Sequence, residues 1–135
     1  MKVWDPTSDG YQPRGKQVVK PGGIFYTPVS GIWQTVWLEA VNTCYVSQLK
    51  TIPNIDGQNI CVNTCLSGSD PADIVLVNVL DDGKIISTGK AAAGQEVLIA
   101  VPDAKLWTPE SPFLYDMEVE IIRKGKAIDQ VKSYF

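Results

Sequence analysis

Residues Tyr115 to Ile121 alternate without a break. Tyr115, Met117, Val119 and Ile121 fall on one side of an extended chain, and Asp116, Glu118 and Glu120 fall on the other. Successive side chains of a strand point to opposite faces, so this run predicts a strand with one face buried and one face wet. Such a strand cannot stand alone, because a sheet of two strands is marginal in water. The rest of the chain must therefore supply neighbours for it, and a second apolar layer to cover it.

The neighbours are legible. Arg123-Lys124-Gly125-Lys126 reads as a hairpin turn in which Gly125 supplies the positive φ, and Ala127 to Tyr134 reads as the returning strand. Upstream, Asp73 to Leu80 is nearly continuous apolar sequence containing Val75, Val77 and Val79. Asp81-Asp82-Gly83-Lys84 then forms a second hairpin turn, with Lys84 to Thr88 as its partner strand. Gln95 to Val101 is a further strand, ended by Pro102. Asn59 to Leu66 is another, with Ile60, Val62 and Leu66 on one side, and Cys44 to Ile52 is the first of the set. Almost nothing reads as helix. These elements predict an all-β chain: an immunoglobulin-like β-sandwich of about seven antiparallel strands.

The first 41 residues differ. They are rich in Gly and Pro, as in Asp5-Pro6, Gln12-Pro13, Lys20-Pro21-Gly22-Gly23 and Thr27-Pro28. One strong strand is expected over Ile32 to Glu39, with weaker candidates at Val3-Trp4 and Gln17 to Val19. Two or three strands cannot close a core. The expected organisation is an incomplete domain over residues 1–41 and a complete sandwich over residues 42–135.

Composition excludes several classes of function. With 44% hydrophobic and 20% charged residues, the chain is not wholesale disordered. A net charge of −3 with scattered Lys and Arg leaves no footprint for nucleic acid or for an anionic membrane surface. No apolar run approaches the ~18 residues of a membrane-spanning helix. No apolar stretch follows MKVWDPTSDG, so no signal peptide is expected.

Histidine is absent, which removes the commonest general base and the commonest transition-metal ligand together. No metal site and no cofactor are expected. Cys61 and Cys65 lie four apart in a strand, ~13 Å at ~3.3 Å per residue, too far to share a metal or a disulfide. A Cys44–Cys61 bridge between neighbouring strands is an open alternative to three small half-buried residues. Asp81-Asp82 lacks the spaced acidic ligands of a calcium loop. Lys20-Pro21-Gly22-Gly23 lacks the Gly-Lys-Ser/Thr of a phosphate loop. Asp116, Glu118 and Glu120 read as a solvated strand face.

Three segments resemble parts of glycoside hydrolase family 2, which includes β-galactosidases, β-glucuronidases and β-mannosidases. SGIWQTVWLEAV (Ser30 to Val41) resembles the last strand of that family's sugar-binding jelly roll, through Gly31, Ile32, Val36 and Leu38. PRGKQ (Pro13 to Gln17) and PGGIFYTPVSGIW (Pro21 to Trp33) are similar to the preceding loops. LWTPESPFLYDMEVEI (Leu106 to Ile121) is similar to the end of the immunoglobulin-like second domain, through Trp107, Pro109, Pro112, Leu114 and Tyr115. DQVKSYF, at the end of the chain, resembles the segment that feeds the catalytic barrel.

The resemblance implies a parent enzyme that removes terminal β-linked sugars with retention, using two glutamates on a (β/α)₈ barrel. None of the acidic residues of this chain matches those motifs. The chain alone is therefore expected to be non-catalytic, and to set the sugar-binding domain against the barrel. The partners implied are carbohydrate, through the parent, and the remaining jelly-roll and barrel domains of the same polypeptide. A homo-oligomer through unpaired strands of residues 1–41 is a further expectation. The implied parent is a bacterial periplasmic or secreted protein.

Residue roles follow from the same resemblance. Arg14, Lys16, Gln17 and Tyr26 lie in loops that would reach a sugar in the full enzyme. Trp33 and Trp37, four apart in the expected strand, share a face and are assigned to inter-domain packing. Trp107, Pro109, Pro112 and Tyr115 are read as a structural corner, with the two prolines stiffening the approach and Trp107 plugging one end of the core. Two rivals stand beside this reading. One is a free-standing immunoglobulin-like carbohydrate-binding or adhesion module, which requires an exposed aromatic platform. The other is a structural protein with no link to sugars.

Overall fold

The alternation at the end of the chain forms the strand it predicts. In the computed structural model, which describes Lys2 and residues 4–135, Asp116–Arg123 is a strand whose Met117, Val119 and Ile121 are fully buried. Seven strands run in chain order: β1 (Tyr45–Asn54), β2 (Asn59–Ser67), β3 (Ile74–Asp81), β4 (Lys84–Ala92), β5 (Val97–Ala100), β6 (Asp116–Arg123) and β7 (Lys126–Tyr134). They form two antiparallel sheets, of order β1-β2-β5 and β4-β3-β6-β7. Relative to the constant-type immunoglobulin arrangement, the fourth strand pairs with the third instead of the fifth, a variation within the same sandwich architecture.

The core lies between the sheets. Ile60, Val62, Val97 and Ile99 project from one sheet, and Val75, Val77, Val79, Met117 and Val119 from the other. Inward residues alternate with outward ones along these strands, as the period of two requires, until Val79 and Leu80 are buried side by side before the β3–β4 turn. The two sheets approach closely at Gly89 on β4. A Cβ there would stand 2.6 Å from Ile99 Cγ1 and 2.8 Å from Val97 Cγ1, so the position has no room for a side chain.

Three irregularities of register sharpen this picture. On β1 the ladder shifts between Val46 and Gln48, which leaves Ser47 as an extra residue. Val46 and Leu49, three apart, consequently both pack against the core, where strict alternation would turn one of them outward. Ser47 Oγ donates to Cys65 O at 3.0 Å, and Val46 N donates to Asp129 Oδ2 on β7 at 2.9 Å, which ties the edges of the two sheets together. Asn42 Nδ2 also donates to Ile128 O. The hairpins β3–β4 and β6–β7 carry similar shifts beside their turns. Both turns use two consecutive residues at positive φ, Asp82-Gly83 and Lys124-Gly125, which is the geometry that matches the twist of the strands.

One end of the sandwich is sealed by a carboxylate. Asp73, immediately before β3, has 0% exposure. It accepts from Arg123 Nε at 2.7 Å and Arg123 Nη2 at 2.6 Å, and from Asp70 N at 2.7 Å. A buried charge is tolerable only when paired and hydrogen-bonded in this way. The Arg123 fork first, and the Asp70 amide second, hold the Asp73 carboxyl at about 2. Cys44 Sγ lies 3.8 Å from Asp73 Oδ2, and burial first, then the Asp73 charge, pushes its thiol up. Arg123 Nη2 also donates to Gly68 O at 3.2 Å. Gly68 has φ of 66°, and a Cβ on it would meet Thr43 O at 2.1 Å.

The chain divides into two units, Met1–Glu39 and Ala40–Phe135. The first has no strand and no buried residue among those described. Its one regular feature is a parallel bridge between Gln17 and Tyr26. The strands expected over Ile32 to Glu39 and Gln17 to Val19 are therefore not formed. An extended segment becomes a strand only when neighbouring backbone accepts its hydrogen bonds, and residues 32–39 pair with no other described strand. Of the candidate at Val3-Trp4, Val3 lies outside the described residues and Trp4 is exposed and outside any strand. Elsewhere the differences are of length: β4 continues to Ala92, beyond the expected end at Thr88, because Gly89 to Ala92 keep pairing with Val77 to Ile74 of β3.

Two outcomes follow. Gly68→Ala should lower stability by about 1–3 kcal/mol, read as a shift in the urea midpoint, because it adds a left-handed penalty to a backbone collision. The Asp73 pair should also make stability pH-dependent. The carboxyl is depressed from 3.8 to about 2 in the folded state, so its contribution is complete above ~4 and is lost as pH falls from ~4 towards ~2. Urea midpoints measured across pH 2–7 (roughly) should fall in that window for the wild type, and Asp73→Asn should flatten the fall.

Candidate functional site

The connection from β5 to β6 builds the other end of the sandwich. It starts at Val101, which is buried and whose N donates to Gln58 O in the β1–β2 hairpin at 2.8 Å. Pro102 then ends the strand, and Asp103 turns the chain at a φ of 52°. Lys105 N donates to Tyr115 Oη at 2.8 Å. A Tyr at the start of the sixth strand, bonded back to backbone of the preceding connection, is the tyrosine corner of immunoglobulin-like sandwiches.

Tyr115 is the anchor of this end. It is 6% exposed, its ring meets Phe113 edge-on with centroids 4.9 Å apart, and it stacks on Phe135 at 5.6 Å. Its backbone exchanges two hydrogen bonds with Phe135, which extends the β6–β7 ladder by one pair. Lys105 Nζ sits 4.6 Å over the Phe113 ring and 2.5 Å from Asp81 Oδ2, so the ammonium is engaged from two sides. The Asp81 partner is the main cause that raises the Lys105 pKa.

Between these anchors the chain makes a tight excursion. Thr108 N donates to Ser111 O at 3.0 Å and Ser111 N to Thr108 O at 3.1 Å, which closes a loop around Pro109 and Glu110. Phe113 N donates to Ser111 O at 2.8 Å across Pro112. Pro109 and Pro112 lie within this excursion, each with a restricted φ and no N–H to donate. The expectation for Trp107 is corrected, however. Trp107 is 57% exposed and does not plug the core; Tyr115, Phe113 and Phe135 do. Trp107 sits on the excursion, whose backbone bonds close on themselves, so nothing draws the indole inward.

This arrangement leaves a hollow of about 470 Å³ at the Phe135 end. Phe113, Tyr115 and Val101 contribute apolar walls, and Trp107 and Leu106 stand at its side. Asn54, Gln58, Asn59, Asp103 and Lys105 bring the polar groups. Only one carboxylate, Asp103, is among the lining residues.

The other residues singled out in the sequence lie elsewhere. Arg14 Nη1 donates to Ser8 O at 3.2 Å. With Asp9, Lys20 and Phe25, Arg14 lines a second hollow of about 430 Å³ within the first unit. Tyr26 N donates to Lys16 O at 2.8 Å, and Gln17 Oε1 accepts from Val29 N at 3.1 Å, so Lys16, Gln17 and Tyr26 are brought together by backbone. The Tyr26 ring is exposed. Trp33 and Trp37 are 89% and 73% exposed, and without the expected strand no shared face follows from their spacing. Asp116 is exposed; Glu118 pairs with Lys132 at 3.2 Å, and Glu120 accepts from Gln130 Nε2 at 3.2 Å. Cys44, Cys61 and Cys65 are all free thiols, and Cys61 stands opposite Ile52 rather than Cys44. Among the described residues, no three His, Cys, Asp or Glu side chains cluster as metal ligands would.

Fold and corner together define a seven-stranded immunoglobulin-like sandwich closed by a tyrosine corner. Comparison with known proteins carries this further: the family model of glycosyl hydrolases family 2 matches residues 44–135, the whole sandwich and most of the chain. This chain belongs to that family. It is similar to a β-glucuronidase of Paenibacillus borealis, at 28% identity over 123 residues, which is 90% of this chain and 20% of that protein. Its fold resembles an FMN-binding β-glucuronidase from Facaelibacterium prausnitzii L2-6, with a TM-score of 0.58 and 20% identity over 70% of this chain and 16% of that one. It also resembles a β-glycosidase from Bacteroides vulgatus, with a TM-score of 0.59 and 16% identity over 70% of this chain and 13% of that one. The chain thus spans about a fifth of the length of that Paenibacillus borealis relative.

Truncation separates the anchor from its neighbour. Tyr115→Ala should cost about 3–5 kcal/mol, and Trp107→Ala less than about 1 kcal/mol, in urea or thermal denaturation. Tyr115→Phe, which removes only the acceptor for Lys105 N, should fall between them at about 1–2 kcal/mol.

Proposed function

We propose that this chain is a non-catalytic structural module of a glycoside hydrolase that removes terminal β-linked sugars with retention. Its part is to hold a sugar-binding domain against a catalytic barrel. The observation that carries the reading is the dispersal of its carboxylates. Retaining hydrolysis needs two carboxyl groups ~5–5.5 Å apart across the scissile bond. Among the described residues the main hollow has one, Asp103, while Asp73, Asp81 and Glu118 are committed to Arg123, Lys105 and Lys132.

The same reading treats residues 1–41 as the end of the sugar-binding domain and residues 42–135 as the spacer. Arg14, Lys16, Gln17 and Tyr26 would approach the substrate in the longer enzyme, and the exposed Trp33 and Trp37 would pack on a neighbouring domain. The β-glucuronidase relatives favour a uronide as the parent's substrate. A bacterial parent is consistent with the source of those relatives.

The test is turnover of 4-nitrophenyl β-D-glucuronide and the corresponding β-D-galactoside. The 135-residue chain should release no nitrophenol above the buffer rate. Release that copurifies with the chain through stringent washing would overturn the assignment.

A further inference from the structure

We propose that the Asp73 end of the sandwich is a socket that clamps the incoming chain over Asn42 to Val46, with Asn42 as its outermost positioning residue. Ala40 and Val41, the first residues of the second unit, are exposed and make no hydrogen bond among the described residues. From Asn42 onward each residue is held. Asn42 Nδ2 donates to Ile128 O on β7. Thr43 O stands so close over Gly68 that a Cβ there would lie 2.1 Å from it. Cys44 is 2% exposed, and its Sγ donates to Asp73 Oδ2 at 3.8 Å. Tyr45 pairs with Ser67, and Val46 N donates to Asp129 Oδ2 at 2.9 Å. The segment thus touches the end of β2, the approach to β3 and the middle of β7, so it is tied to both sheets.

The Asp73–Arg123 pair shapes this socket. Arg123 Nε and Nη2 fork onto Asp73, and Nη2 also donates to Gly68 O at 3.2 Å. One guanidinium therefore sets both the carboxylate beneath Cys44 and the glycine beneath Thr43. A buried carboxylate paired in this way adds little net stability over an apolar replacement, and its best-attested use is to fix one arrangement among several. The competing arrangement here is a slip of β1, which would turn its inward residues outward. The clamp ends at Val46, immediately before the extra residue at Ser47. It fixes the facing of Cys44 and Val46 by reference to Asp73 and Asp129, independently of the β1–β2 ladder.

The ties serve position more than stability. A module that holds one domain against another conveys no orientation if the chain pivots freely where it enters the module. A clamp that begins at Asn42 confines any pivot to the residues before it. For this purpose, though not for its geometry, the inference rests on the spacer role proposed above.

The experiment is labelling of the 135-residue chain with N-ethylmaleimide, followed by peptide mass spectrometry of its three free thiols. Cys65 is exposed and serves as the internal reference. Cys44 should react far more slowly than Cys65. Its rate should be nearly flat at low urea, because the entry segment opens without unfolding of the sandwich. Asn42→Ala, at an exposed position, should speed Cys44 labelling about fivefold, the effect of one net hydrogen bond on a local opening, and leave Cys65 unchanged. Asp129→Ala, which frees Val46 N, should do the same as a second variant. Tyr115→Phe removes a hydrogen bond at the opposite end and should leave the Cys44 rate unchanged. Cys44 reacting as fast as Cys65 in the wild type overturns the proposal, and so does a Cys44 rate that climbs steeply with urea. Equal acceleration by Asn42→Ala and Tyr115→Phe also overturns it, since Asn42 would then act only through global stability. Glycoside turnover by the chain overturns the spacer role and leaves the clamp standing; a freely opening entry segment overturns the clamp and leaves the absence of turnover untouched.

Discussion

A sandwich of this size depends on one constraint: both sheets must send every second residue into a shared layer about 10 Å thick. Here the constraint is met by branched aliphatics from β2, β3, β5 and β6, with Met117 among them. Where regular alternation would fail it, the backbone changes its parity. The extra residue at Ser47 lets Val46 and Leu49 face the same way, and Asp129 captures the amide beside it. Where side chains would hold the sheets apart, the side chain is missing, as at Gly89. The bulge and the glycine are thus two answers to one demand.

The two ends of that layer are closed by opposite chemistry. At the Asp73 end a buried carboxylate meets a guanidinium fork and a backbone amide, with Gly68 drawn in so closely that no Cβ fits. That end is full. At the Tyr115 end three aromatic rings meet, Phe113 edge-on and Phe135 stacked on Tyr115, and the tyrosine hydroxyl takes the amide of Lys105. Rings leave gaps that a hydrogen-bonded ion pair does not. The hollow beside Trp107 arises there because the connection from β5 to β6 spends its backbone bonds on its own turn at Thr108 and Ser111.

The strands were legible in the sequence because burial imposes the period of two, and that period survives in the residues themselves. Val75, Val77 and Val79, or Met117, Val119 and Ile121, announce their faces directly. The hairpins were legible for a similar reason, since Gly83 and Gly125 mark positive φ; that Asp82 and Lys124 share it was not. Parity changes were hidden, because a bulge leaves no residue type of its own. The Asp73–Arg123 pair was hidden by 50 residues of separation, although a charged residue heading an apolar run is a signal worth following. Trp107 misled for a physical reason: size indicates what a side chain gains by burial, not whether the backbone can bring it there. The run from Ile32 to Glu39 misled likewise, since propensity predicts a strand but only a partner makes one.

The best-placed acids of this chain are tied to cations. A retaining hydrolase works because two carboxyl groups in different environments face each other across a bond, one held protonated and one ionised. Building that requires acidic residues to converge on a cavity and to remain free of cations. The sandwich does the reverse with the acids it places best. Asp73 is driven towards permanent ionisation by Arg123, and Asp81 is bound by Lys105. Both are spent on joining elements distant in sequence, 50 residues apart in one case and 24 in the other. Carboxylates used in this way cross-link the two sheets and their connections into a frame.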